Sequence, residues 1–144
     1  MKSKNPKKTY TIFYALLIVG IFTICQILIP AIRNIFNGTF FLLLLAIFFL
    51  LGIMLIVSAL KEKVKPGLKK SFLLTGISSA GFFICVLLHN LFYALAIITS
   101  DIVLLNYLME FMHAAFFLIA IFICPIGFLI GVIWSIVLLI KQKK

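Results

Sequence analysis

With 144 residues, 65% of them hydrophobic and only 11% charged, the chain carries more apolar surface than a soluble domain of this size can bury. The solvent that fits it is a bilayer, whose core of about 30 Å takes about 20 apolar residues per helix. The formal charge of +10 does not indicate a nucleic-acid partner, because the cations are not spread over a face but gathered beside the apolar runs.

Four such runs follow one another, Tyr10–Pro30, Thr39–Leu60, Ser71–Ile98 and Ala114–Ile140, none containing Asp, Glu, Lys or Arg. They predict an all-α fold, an integral membrane bundle of four transmembrane helices forming one membrane domain over residues 1–144. The lysines form three clusters: Lys2, Lys4, Lys7 and Lys8; Lys61, Lys63, Lys65, Lys69 and Lys70; Lys141, Lys143 and Lys144. These flank every second helix end, so with Glu62 one side carries +11, and Arg33, Asp101 and Glu110 leave the other at −1. The positive-inside rule then places both termini and the middle loop in the cytoplasm, and the chain in the cell (cytoplasmic) membrane. Each lysine near an anionic headgroup is attracted by about 1 kcal/mol, so membrane lipid is the expected partner of these clusters.

The segment Met1–Thr9 is polar and is expected to be disordered up to the membrane. The first apolar run exceeds the 7–15 residues of a signal-peptide core and lacks a small-residue cleavage site, so it reads as an uncleaved anchor. Gln26 is its one strongly polar interior residue, and Pro30 ends it. Asn37-Gly38 is a turn signal. The second run is almost uniformly apolar, with Gly52 and Ser58 as its small residues, and is expected to face lipid over much of its surface. The loop after it is expected to turn at Pro66-Gly67.

The third run holds most of the chain's variety. Gly76 and Ala80 lie four apart and make a flat face for a neighbouring helix. Ser78, Phe82, Cys85, His89 and Tyr93 recur at spacings of four, three, four and four, which is one side of an α-helix. Between Thr99 and His113, Ser100 or Asp101 is placed to cap a helix. Asn106, Glu110 and His113 share a stripe of what reads as a short interfacial helix leading into the fourth span. That span carries Pro125, a predicted kink, and the packing series Gly127, Gly131 and Ser135.

The stretch Leu68–Ala96, with LKKSFLLTG, the small residues SSAG and then LLHNLFYAL, resembles the centre of a group of small prokaryotic four-span integral membrane proteins. The resemblance is close over about 30 residues and extends to the rest only as hydropathy. It implies the four-span fold and no activity, since the group has none assigned.

Several chemistries are excluded by spacing. Ser79 and His89 are ten residues apart on one helix, about 15 Å, so they cannot form a serine–histidine pair. HExxH and CxxC are missing, and Gln26 stands where a proton-coupled exporter would need a first-helix carboxylate. Cys25, Cys85 and Cys124 fall at similar depth with His89 one turn beyond Cys85, a weak candidate set for Cu(I) or zinc; lone cysteines are more often packed as small apolar residues. A candidate polar cluster at the outer end comprises Arg33, His89, Asn90, Asp101, Glu110 and His113, with Arg33 expected to approach Asp101 or Glu110. His89 is expected to hydrogen-bond to Asn90 of another subunit, to Gln26 or to the outer carboxylates.

Three readings of function follow. The first is a non-catalytic membrane protein acting through helix packing with itself, lipid or a membrane partner. The second is a small carrier or channel with an outer vestibule at the polar cluster, and the third is a metal-binding or redox protein built on the cysteines. None names a cofactor, and none is chiefly an enzyme.

Overall fold

The computed structural model describes residues 7–30 and 38–143, and they form helices almost throughout. In chain order these are α1 (Lys7–Leu28), α2 (Gly38–Lys61), α3 (Pro66–Ile98), α4 (Val103–Leu118) and α5 (Cys124–Lys143). A π-helical turn, Ile119–Ile123, joins α4 to α5 without a break. Four helices are thus long and apolar enough to cross a membrane: Lys7–Gln26, Gly38–Lys61, Pro66–Ile98 and Val103–Gln142. At 1.5 Å per residue α1 and α2 are about 35 Å long, α3 about 50 Å and the last span about 60 Å. The last two therefore tilt or reach past a hydrocarbon core of about 30 Å.

Helix ends differ from expectation for local reasons. α3 begins at Pro66, five residues before the apolar run, because proline suits the first helical position, where its missing N–H bonds to nothing. Pro66-Gly67 is therefore the start of a helix and not a turn. α4 begins after Ile102, without a side-chain cap from Ser100 or Asp101. The turn is instead closed by α3 itself: Thr99 donates its backbone N–H and its hydroxyl to the Leu95 carbonyl at 2.9 and 2.8 Å. Pro125 lies just past the π turn, where Cys124 donates its N–H to Ile119 O, five residues back. A wider turn beside a residue that cannot donate is the usual accommodation of a helical proline.

α3 is the centre of the bundle, with α2 on one side and the α4–α5 rod on the other. Its small residues let both neighbours close in. A Cβ at Gly76 would stand 2.9 Å from Gly52 O, and one at Gly52 would stand 3.0 Å from Gly76 O and 3.1 Å from Ala80 N. Gly52 is thus as much a helix contact as Gly76, while Leu42, Leu43, Leu50 and Leu60 leave much of the α2 surface exposed. Ser79, fully buried, donates from this face to Phe48 O at 2.8 Å. On the opposite face Gly127 sits over Ser78 and Gly131 over Thr75, with hypothetical Cβ distances of 2.5 Å to each hydroxyl, and Ser135 donates to Ser71 Oγ at 2.9 Å. Interhelical hydrogen bonds of this kind average about 0.6 kcal/mol in bilayers, so close backbone packing carries most of the stabilisation.

The core joins all four spans near the lysine-rich end: Phe13 and Leu16 from α1, Phe48 and Leu55 from α2, Phe72 from α3, Phe128 and Val132 from α5. α1 is held there by a polar tie. Thr9, expected in a disordered tail, is fully buried, and Glu62 at the end of α2 accepts its backbone N–H at 3.1 Å and its hydroxyl at 2.6 Å, both on Oε2. The first turn of a helix leaves N–H groups without partners, and a carboxylate meets that need with favourable charge.

Candidate functional site

At the other end α3 and α4 form an antiparallel hairpin, and the two histidines of the chain meet inside it. His89 of α3 and His113 of α4 stack with ring centroids 4.1 Å apart and planes 24° off parallel. Their bonds are reciprocal: His89 Nδ1 donates to His113 O at 3.1 Å, and His113 Nδ1 to His89 O at 3.3 Å. A carbonyl only accepts, so each ring carries a proton on Nδ1. Tyr93 flanks His113 at 5.2 Å and Phe117 flanks His89 at 5.1 Å. The result is a four-ring stack, Tyr93–His113–His89–Phe117, drawn alternately from the two helices. Phe92 and Phe116 stack beside it at 5.5 Å.

Asn106 fastens the hairpin nearer the turn. Its amide donates to Ala96 O at 2.7 Å, one of the last-turn carbonyls of α3 that no helical N–H can reach. Beside this bond an open groove of about 670 Å³ is lined by Tyr93, Asn106, Glu110 and His113 among apolar neighbours. The groove offers a carboxylate, a phenol and an imidazole, groups able to accept hydrogen bonds or a proton from a small polar guest.

The predicted polar cluster is therefore only partly assembled. His89, His113 and Glu110 come to one place. Asn90 is exposed and donates back to Val86 O at 2.8 Å, and within the chain the partner of His89 is the His113 backbone and not Gln26. Asp101 is exposed in the turn and does not line the groove. Arg33 lies outside the described residues, so its expected approach to an acid does too.

The face Ser78, Phe82, Cys85, His89 and Tyr93 does look toward the α4–α5 rod. Ser78 meets Gly127, and Cys124 Sγ lies over Gly81. Cys25 does not join them: among the described residues no three of His, Cys, Asp and Glu are grouped to hold a metal ion. Converging thiolates with His89, the premise of the metal reading, are thus not found.

Between the two ends, a crevice of about 110 Å³ is lined by Gly20, Phe48, Phe82 and Phe128 with Cys124, Thr23 and Ser78. The Thr23 hydroxyl donates to Val19 O on its own helix. Gln26 is buried and its Oε1 has no partner among the described residues. The Thr9–Ser58–Glu62 tie went unread in the sequence, since its members lie up to 53 residues apart and match no local pattern; a single acid among the lysines was the one available signal. No known protein-family model, curated protein or solved structure matches the chain.

Proposed function

We propose that the chain is a multi-pass protein of the cytoplasmic membrane, with both termini and the α2–α3 loop cytoplasmic, acting without catalysis through helix packing with itself or a membrane partner as well as with lipid. The observation that carries this reading is α4. It packs against α3, buries none of its residues, and presents Leu104, Tyr107 and Phe111 outward at 83%, 68% and 68% exposure. Their spacing of three and four makes one stripe, and large side chains on one stripe form the groove-filling surface by which helices associate. Orientation is argued from the lysines, which gather at one end while Asp101 and Glu110 lie at the other.

A carrier reading is favoured by the groove beside His113. It requires a polar route from that groove toward the lysine-rich end, and the crevice midway is walled mostly by apolar side chains, Ile24, Phe48, Phe82, Pro125, Phe128 and Leu129 among them. Packing is therefore the better reading.

The test is site-specific photo-cross-linking in native membranes, with a benzophenone side chain at Leu104 or Phe111 and at buried Leu55 as control. A protein adduct of discrete mass is expected from Leu104 or Phe111 and not from Leu55. Adducts to lipid alone at both exposed positions would remove the packing role of α4.

A further inference from the structure

The Thr9–Glu62 tie leaves something unused. Thr9 Oγ1 donates to Glu62 Oε2, so the 2.7 Å contact between Thr9 Oγ1 and Ser58 Oγ must run from Ser58 to Thr9, each hydroxyl having one proton. Both bonds to Glu62 fall on Oε2, which leaves Oε1 to the groove that Glu62 lines. This groove of about 330 Å³ runs between α1 and α2 at the lysine-rich end. Its floor is Ile12, Ile53, Met54 and Val57, and its rim is Lys8, Lys61 and Glu62. Lys8 and Lys61 are exposed.

We propose that the groove binds a phospholipid with a primary-amine headgroup, of the phosphatidylethanolamine class. The phosphate lies between the Lys8 and Lys61 ammonium groups, the headgroup ammonium donates to Glu62 Oε1, and an acyl chain follows the apolar floor. The charge pattern selects this guest. Two cations beside one anion complement a headgroup that carries a phosphate and an ammonium. A phosphatidylglycerol headgroup would meet the lysines but set hydroxyls and net negative charge against Glu62. A choline headgroup has no N–H to donate and is too bulky to close on a carboxylate oxygen. Charge-assisted bonds of the ammonium–carboxylate and ammonium–phosphate kind are about twice as strong as neutral ones, which makes them the selective contacts.

The inference rests on the membrane reading but not on the role of α4, and the two fail separately: headgroup preference is read on purified protein, whatever α4 contacts in the cell. The full-length protein, delipidated in mild detergent, is titrated with phosphatidylethanolamine, phosphatidylglycerol and phosphatidylcholine of identical chains, and bound lipid is counted by native mass spectrometry. The amine lipid is expected to bind about tenfold more tightly than either other, a difference of one charge-assisted contact. Glu62→Gln keeps an oxygen for Thr9, so its melting temperature falls less than that of Glu62→Ala while the preference for amine over glycerol headgroup disappears. Lys8→Ala with Lys61→Ala weakens phosphatidylethanolamine and phosphatidylglycerol alike, and provides a second reading if the Gln variant does not fold. Equal binding of the three lipids by the parent protein overturns the proposal, as does an amine preference that survives Glu62→Gln or the double lysine change.

Discussion

Among single residues, Thr9 and Glu62 are the pair whose loss should be felt most at the lysine-rich end. Thr9 is completely buried, and its two polar groups have one acceptor between them, Glu62 Oε2. Thr9→Val keeps the shape, deletes the hydroxyl and leaves the Ser58 proton without its acceptor. A loss of about 1–2 kcal/mol is expected from thermal or denaturant unfolding in detergent. Glu62→Ala should cost more, about 2–3 kcal/mol, since it strands both Thr9 donors and removes the negative charge from the helix N-terminus. Lys63→Ala, in the adjacent loop, should stay within about 0.5 kcal/mol of the parent. Equal stability of all three would mean that α1 is not held through this contact. The histidine pair makes a different point. His89 and His113 could be placed on the same end of the molecule from hydropathy, yet their stacking could not, because it depends on the register of the hairpin. That register is set by Thr99 and Asn106 bonding α3 carbonyls.

At the scale of elements, the interfaces of α3 are defined by backbone approach. Gly131 lies so close to Thr75 that a Cβ would stand 2.8 Å from the Thr75 nitrogen and 3.1 Å from its Cα, atoms that cannot turn aside. Gly52 and Gly76 meet each other's carbonyls in the same way. Gly131→Ala, Gly52→Ala and Gly76→Ala are each expected to lose about 1–3 kcal/mol, the usual cost of overpacking. Gly67→Ala meets only the end of the Leu138 side chain, at 3.6 Å, and should be neutral or slightly stabilising, as alanine favours the helix. Parent-like stability of the first three would contradict the close approach. The series Gly76, Ala80 and Gly127, Gly131, Ser135 was readable from spacing alone, because helix contacts in membranes select small residues every fourth position. Gly52 was not, because a lone small residue in an apolar run carries no period. Helix ends were the least readable: Lys7–Thr9 is polar and Pro66–Lys70 joins a Pro-Gly pair to two lysines, and hydropathy ends a helix where its apolar run ends, while the backbone goes on bonding.

For the whole molecule, the order of the four spans was legible because apolar length is the strongest signal a sequence contains. Which helix is central was not, since α2 and α5 are no less apolar than α3. Its small and hydroxylated residues, buried on two faces, are what make α3 the axis. The antiparallel order places the N-terminus of α1, the α2–α3 loop and the end of α5 together, and the hairpin turn Thr99–Ile102 at the opposite end. With that order, the central claim becomes a statement about two sides of one membrane. Single cysteines at Lys63 or Ser100, in a chain with Cys25, Cys85 and Cys124 replaced, test it directly with a membrane-impermeant thiol reagent added to intact cells. The account predicts labelling at Ser100→Cys without permeabilisation and at Lys63→Cys only after it; labelling of Lys63→Cys from outside, or of both positions from the same side, would contradict it.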